Sequence, residues 1–331
     1  MIFTWKNIVV IFFFYFINTN ICFSSTENGD FNQWLDSYKK FALKEGISKN
    51  TLDIAFKNTR YLEKVIKYDR KQPEFFEDTI TYVQKRASSA RAKIANKLYN
   101  KNINLFNEVE KKFKVEKEIL LSLWGIETNF GKHVGKMDII SSLATLSYDK
   151  RRRNFFSSEL LTLLKLIDKN LINPRTLYGS WAGAFGNFQF MPSTIISYAI
   201  DYDNNNKIEL KKSLDDSLAS AANYINKIGW KKNEPCFFRV KATKNIKKKY
   251  INYSAKKIKN KFKISKWKKM GIVSFDSKEM PTNHRAALIL PDGKSNTPMY
   301  LVFDNYEKIL KWNRSLRFGI SVCTLANMIK T

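Results

Sequence analysis

Apolar residues recur at three- and four-residue spacing along most of this chain, a pattern that predicts helix after helix from Phe31 onward. Phe31, Trp34, Leu35, Tyr38 and Phe41 share one helical face, and Gly46 follows as a stop. Ser48 is placed to cap the next helix, which carries Leu52, Ala55 and Phe56. Beyond the polar run Asp69-Arg70-Lys71-Gln72-Pro73, a long periodic segment extends from Phe75 towards Phe113, with Ile80, Val83, Ala87, Ile94, Leu98, Leu105, Phe106 and Val109 inward. Its basic residues fall mainly on the opposite face and read as solvated charges. Val115, Ile119, Leu120, Leu123 and Trp124 form the next stripe, with Gly131 just past the helix end. Asp149 fits the cap of a helix through Phe155, Phe156, Leu160, Leu163 and Leu164, and Pro192 opens another.

After Trp230 the pattern changes. Lysines crowd the stretch from Phe237 to Met270, and residues 257–264 alternate as a strand does. The run from His284 to Gly293, followed by Met299-Tyr300-Leu301-Val302-Phe303, reads as a hairpin. Leu316 to Ile329 is helical again and returns to the main body. The fold class is therefore mainly α (α+β). The expected units are a leader at 1–24, an N-terminal helical domain at 30–115, a helical core at 116–235, a basic β-rich subdomain at 236–305 and a returning segment at 306–331. Charged edge strands that block aggregation account for the lysine-rich span without a nucleic-acid ligand.

Composition changes this picture in three ways. Lys6, the apolar run from Ile8 to Ile17 and the small residues around Ser24 have a signal-peptide layout, which predicts cleavage and export. A retained anchor and lipidation at Cys22 are the alternatives. The formal charge of +28 is mostly lysine, which suits diffuse attraction to a polyanion better than base reading. Beyond the leader only Cys236 and Cys323 remain, either joined in an oxidising compartment or buried as separate thiols.

Three stretches carry candidate chemistry. Glu127 continues the apolar face of Leu123 and Trp124 in a last helical turn, where desolvation and the helix dipole both favour a protonated acid. Such a carboxyl suits proton donation to a leaving oxygen; the alternative is a structural ion pair with an arginine, and Arg151-Arg152-Arg153 opening a helix calls for an anion such as Glu127 or a substrate group. The stretch from Gly179 to Pro192 interleaves glycines and aromatics with Ser180, Asn187 and Gln189, which fits either sugar recognition or tight helix packing. Asp201, Asp203, Asn205 and Lys207 alternate like calcium-loop ligands, with Lys212 where the pattern has Glu, so Asp216 or Asp215 must close the site. A polar surface loop is the other reading. Only His133 and His284 are present, far apart and without partners at ligand spacing, which argues against a zinc hydrolase, and Ser180 stands one position early for a nucleophile elbow.

Trp124-Gly125-Ile126-Glu127-Thr128-Asn129-Phe130-Gly131, Leu143-Ala144-Thr145-Leu146, Arg151-Arg152, Gly179-Ser180-Trp181-Ala182-Gly183-Ala184 with Gln189-Phe190-Met191-Pro192, and Ala219-Ser220-Ala221-Ala222-Asn223-Tyr224 resemble, in order, the signatures of the membrane-bound lytic murein transglycosylase B family. That resemblance implies a lysozyme-like helical core in a periplasmic enzyme acting on peptidoglycan glycan strands. The β-1,4 bond after N-acetylmuramic acid is cut and a 1,6-anhydro end is left. Glu127 takes the acid/base position. Arg151, Ser180, Gln189, Phe190 and Tyr224 match the glycan groove, as do Trp312 and Asn313 where the family has Tyr-Asn; Phe318 replaces a further Tyr. Asp201, Asp203, Asn205, Lys207 and Asp216 match a calcium loop, with no organic cofactor. The expected partner is the glycan, with no nucleic acid; the chain is expected to be a monomer with at most loose membrane or wall association. A muramidase using Asp138, Asp149 or Glu159 as a second acid, a non-catalytic wall binder and an exported nucleic-acid binder are the rivals.

Overall fold

Capping residues legible in the sequence start several of the helices. In the computed structural model, which describes residues 30–71 and 77–329, Asp30 caps α1 (Phe31–Lys44) and the Ser48 hydroxyl accepts from Thr51 N at the start of α2 (Lys49–Phe56). The leader and Phe75 lie outside the described residues. The chain continues through α3 (Glu63–Arg70), α4 (Thr79–Arg86), α5 (Ser89–Lys101), α6 (Ile103–Phe113) and α7 (Lys117–Thr128). Next come β1 (Met137–Asp138), α8 (Ile139–Tyr148), α9 (Arg153–Asp168), β2 (Tyr178–Gly179), α10 (Pro192–Tyr198) and α11 (Leu214–Lys227).

The second half holds β3 (Phe237–Ala242), β4 (Ile251–Asn252), β5 (Phe262–Lys263), α12 (Ile264–Lys269), β6 (Ile272–Ser274), β7 (Arg285–Ile289) and β8 (Met299–Val302), then α13 (Asp304–Trp312) and α14 (Leu316–Ile329). The sheet runs in the order β4-β7-β8-β3-β6, with β5 added to β7. The expected hairpin is present: β7 and β8 pair antiparallel with Leu288 opposite Leu301. Every strand pair except β4 with β7 is antiparallel. The molecule is thus mainly α, with a small, largely antiparallel sheet inserted before the last two helices.

Two apolar clusters hold the chain. The larger joins α1 through α11 to α13 and α14; the smaller gathers Trp267, Ile264, Leu288, Leu301 and Phe303 under the sheet. The returning helix α14 packs on α7, α4 and α5, so α7 is buried nearly all round from Ile119 to Gly125. A disulfide joins Cys236, just before β3, to Cys323 in α14, with Cα atoms 6.1 Å apart.

Four local expectations are corrected. The segment from Phe75 to Phe113 is not one helix: Ser88 caps α5 afresh and Asn102 separates α5 from α6. Each break resets the helical phase, so Ile80 and Ile94 face outward rather than inward. Of residues 257–264, only Phe262 and Lys263 form a strand. Asp149 closes α8 instead of capping α9, and α7 ends on Asn129, whose left-handed conformation (φ 49°) precedes Gly131.

Candidate active site

Glu127 lies half-buried in the last turn of α7, beyond the stretch from Ile119 to Gly125 that is buried throughout. The turn is pinned from below. The Thr128 hydroxyl donates to the Asn187 carbonyl at 2.8 Å and accepts from Gly131 N at 2.9 Å. The Trp124 indole donates to the Asn187 side-chain oxygen at 3.3 Å, and the Asn187 amide reaches Ser217 Oγ of α11 at 3.0 Å. A Cβ at residue 131 would come within 2.7 Å of that Asn187 oxygen, so glycine is needed there for contact as well as for its φ of 80°. Asn187 is 7% exposed. It offers nothing to a sugar and instead ties the end of α7 to α11.

Above the carboxyl lies an aromatic assembly. The Trp312 indole, at the end of α13, donates to Glu127 Oε1 at 3.0 Å. Trp312 stacks on Tyr224 with centroids 5.0 Å apart, Tyr224 stacks on Tyr198 at 4.5 Å, and Phe190 and Phe188 meet Trp312 edge-on. The Tyr224 hydroxyl donates to the Lys311 carbonyl at 3.1 Å, and burial, with Tyr198 beside it, pushes its phenol up to about 12. The fold therefore gathers Glu127, Phe190, Tyr224 and Trp312 from four separate elements. Tyr198 and Phe188 join them although neither stands out in the sequence; the cue was available only as more aromatics near the Gly-rich stretch.

That stretch is largely self-supporting. Phe185 and Phe190 exchange both backbone hydrogen bonds, 2.9 and 3.1 Å. Gln189 sits between them at φ 51°, and its side-chain amide donates to Val134 O at 3.2 Å and Gly186 O at 3.0 Å. Ser180 Oγ accepts from Ala184 N at 3.0 Å and Ala182 N at 3.3 Å. Both side chains are half-buried, leaving the Gln189 carbonyl and the Ser180 hydroxyl proton for another partner. Gly135 permits the close seam here, since a Cβ would fall 2.0 Å from Gly179 O. Asn313 ends α13 beside Trp312, half-buried, while Phe318 is buried in α14.

Arg151 and Arg152 of the arginine triplet find a different anion, while Arg153 donates to the Tyr148 carbonyl at 2.8 Å. Asp69 in α3 is 3% exposed, and Arg70 and Arg151 reach it with hydrogen bonds of 2.5 and 2.7 Å, with Arg152 closer still. Burial opposes the charge of Asp69, but Arg151 and Arg152 outweigh it and hold the carboxyl below its usual range. Asp69, not Glu127, is thus the carboxylate that draws Arg151 and Arg152. Sequence reading missed it because Asp69 sits in a polar run that resembles a loop. The rival second acids are similarly engaged. Asp138 caps α8 at Ser141 N, Asp149 pairs with Arg70, and Glu159 accepts from Ser193 N and Oγ at 2.9 and 2.6 Å.

Asp201, Asp203 and Asp216 converge, each offering an oxygen within 4.8 Å of the others. Asp216 is fully buried, and no cationic side chain pairs with it among the described residues. Its two oxygens accept from Tyr202 N and Glu209 N, and Asn205 N donates to Asp201 and Asp203. Three carboxylates this close repel unless a cation joins them, and an all-oxygen set suits a hard divalent ion. Lys207 is exposed, its N donating to the Asn205 side chain at 2.9 Å.

A transglycosylase SLT domain model matches residues 30–327. Membrane-bound lytic murein transglycosylase B of Escherichia coli (strain K12) is 29% identical over 232 residues, which are 70% of this chain and 62% of that relative's length. SltB3 of Pseudomonas aeruginosa in complex with NAG-NAM-pentapeptide is structurally similar at a TM-score of 0.83 and 31% identity, over 92% of this chain and 80% of that one. The same protein in complex with NAG-anhNAM-pentapeptide gives 0.82 at 31% identity over the same shares, 92% and 80%. The Escherichia coli lytic transglycosylase Slt35 in complex with calcium gives 0.75 at 26% identity over 92% of this chain and 93% of that one.

Proposed function

We propose, from the premise that this chain belongs to the transglycosylase SLT domain family, that it is a peptidoglycan lytic transglycosylase with Glu127 as its single acid and base. The observation that carries this reading is the indole N–H of Trp312 on one oxygen of Glu127, beneath stacked aromatic faces suited to sugar rings. One oxygen is oriented by the protein.

Chemistry with one carboxyl group is complete without water. Glu127 gives its proton to the oxygen joining N-acetylmuramic acid to N-acetylglucosamine, and the bond from that oxygen to C1 breaks. The substrate's own N-acetyl carbonyl shares the positive charge at C1. The muramic 6-hydroxyl then bonds to C1 and releases its proton to the Glu127 carboxylate, which restores the acid. The product is a 1,6-anhydro end, as named for the ligand of one SltB3 complex. Ordinary glycosidases use a pair of carboxylates. Here Asp138, Asp149 and Glu159 all hold structural bonds, which favours the one-acid route over a muramidase.

Around this centre, the half-buried rings of Trp312 and Tyr224 face the glycan, with Phe190, 3% exposed, packed edge-on behind them, and the Gln189 carbonyl, the Ser180 hydroxyl and Asn313 supply hydrogen bonds to it. Arg151, bound to Asp69 through Nε and Nη2, contributes through whatever donor capacity remains. Calcium fits the cluster of Asp201, Asp203 and Asp216, with Asn205 and the Lys207 carbonyl completing the set, as Slt35 is in complex with calcium. It would neutralise the carboxylates and fasten the loop after α10 to α11. The chain acts as an exported monomer on the cell wall; among the described residues no helix is long and apolar enough to cross a membrane. Glu127→Gln is expected to keep glycan-oligomer affinity within about threefold while turnover falls by at least about a thousandfold, as loss of both acid and base requires. Turnover unchanged in that variant would remove Glu127 from the mechanism.

A further inference from the structure

Far along the chain from Glu127, the sheet subdomain holds a cavity of about 600 Å³ between β3, the segment after it and the loop before β8. That volume suits a small ligand or a short peptide and not a duplex. Arg239, Lys241, Lys244 and Lys248 line it, and no acidic residue does. None of the four forms an ion pair among the described residues. The Arg239 guanidinium lies 3.8 Å above the Phe275 ring, and its Nε is buried without a hydrogen-bond partner. Lys244 is pressed against Gly271, where a Cβ would meet its Cγ at 2.9 Å, so its stem is held at the edge of β6. Phe275 and Tyr253, 43% and 44% exposed, add flat apolar faces to the same wall.

Four cations without a counter-ion repel one another, and an anion in the cavity would relieve that repulsion. A carboxylate matches the planar fork of Arg239, and methyl or methylene groups match Phe275 and Tyr253. We propose that this cavity is a second substrate site, binding the carboxylate-bearing stem peptide of a peptidoglycan strand rather than its sugars. The proposal rests on the function argued above, because it takes its ligand from the same polymer. A peptide bound here keeps its strand at high effective concentration around Glu127, so the site acts on KM and not on kcat.

Calorimetric titration of the full chain with free stem tetrapeptide, released from its sugars, tests this directly. The same peptide with its carboxylates amidated, inorganic phosphate and phosphatidylglycerol vesicles serve as comparisons. The acidic peptide is expected to bind at least tenfold more tightly than the amidated one and to lose at least tenfold in Arg239→Gln/Lys244→Gln. The exposed single variant Lys244→Gln, with its thermal melt, separates loss of binding from loss of folding and is expected to lose about threefold. On stem-bearing glycan the double variant is expected to raise KM several-fold at unchanged kcat, and on peptide-free glycan to change neither. Equal peptide affinity in the double variant, equal affinity for the amidated peptide, or binding of phosphate or vesicles but not peptide would overturn the proposal. Should the wild type cleave no glycan yet bind the peptide in this way, the enzymatic reading fails while the site stands.

Discussion

Glu127 is held by Trp312 on one side, and its helix end is tied down through Thr128 and Trp124 to Asn187, which makes single side chains the sharpest probes. Trp312→Phe keeps the ring that stacks on Tyr224 and removes the N–H on Glu127; kcat is expected to fall about 10- to 100-fold, the worth of a hydrogen bond to a charged group, with KM little changed. Steady-state kinetics on a soluble glycan checks it. Asp69→Asn leaves Arg70, Arg151 and Arg152 facing one another without their anion, at a cost of about 2 kcal/mol, less than for a fully buried pair because the guanidinium groups stay partly solvated. Because the Asp69 carboxyl is held below its ordinary value in the fold, its contribution is present in full above about pH 4 and is lost as the pH falls through the folded value. Acid unfolding of wild type and Asp69→Asn should therefore diverge above that pH and converge below it. Glu127 was legible as an acid among apolar neighbours, since its own helix carries the signal. Its partner Trp312 was not legible from spacing, because a contact between residues 185 apart leaves no local pattern and only the family likeness pointed to it. Asn187 was legible as a polar residue in an aromatic loop, but its direction was not; burial turned it inward.

At the scale of elements, periodicity located helices well where each carries its own cap and poorly where several follow in phase. Ser48 and Pro192 mark true starts, and Leu316 to Ile329 is helical as expected. Breaks at Ser88 and Asn102 were invisible because the apolar spacing happens to continue across them. The loop holding Asp201 and Asp203 is anchored on α11 by Asp216, whose oxygens accept from Tyr202 N and Glu209 N. Chelation with excess EDTA is expected to lower the melting temperature by the equivalent of about 3 kcal/mol if calcium stands near a hundredfold over its dissociation constant, and calcium should restore it. Asp216→Asn should melt at the chelated temperature and ignore added calcium. A melt unaffected by either would mean a polar loop without a metal.

For the whole molecule, α14 and the disulfide bring the end of the chain back against α7. The Cys236 to Cys323 link closes a loop of 87 residues that contains the entire sheet, so by chain entropy alone its loss costs roughly 4 to 5 kcal/mol. Cys323→Ser is expected to lower the melting temperature under oxidising conditions to that of the reduced wild type. Sequence alone left this pair open, because two cysteines so far apart meet only once the last helix is known to return. The helical class and the sheet insertion were legible, since periods of 3.6 and 2 are local; which faces meet was not. The claim on which the functional account depends is that the glycan's own hydroxyl, and not water, closes the reaction at Glu127. Digestion of purified peptidoglycan in heavy-oxygen water, followed by mass analysis of the released ends, tests it most directly. The account predicts anhydro ends free of label from the wild type and no new ends from Glu127→Gln; reducing ends carrying the label, released at wild-type rates, would contradict it.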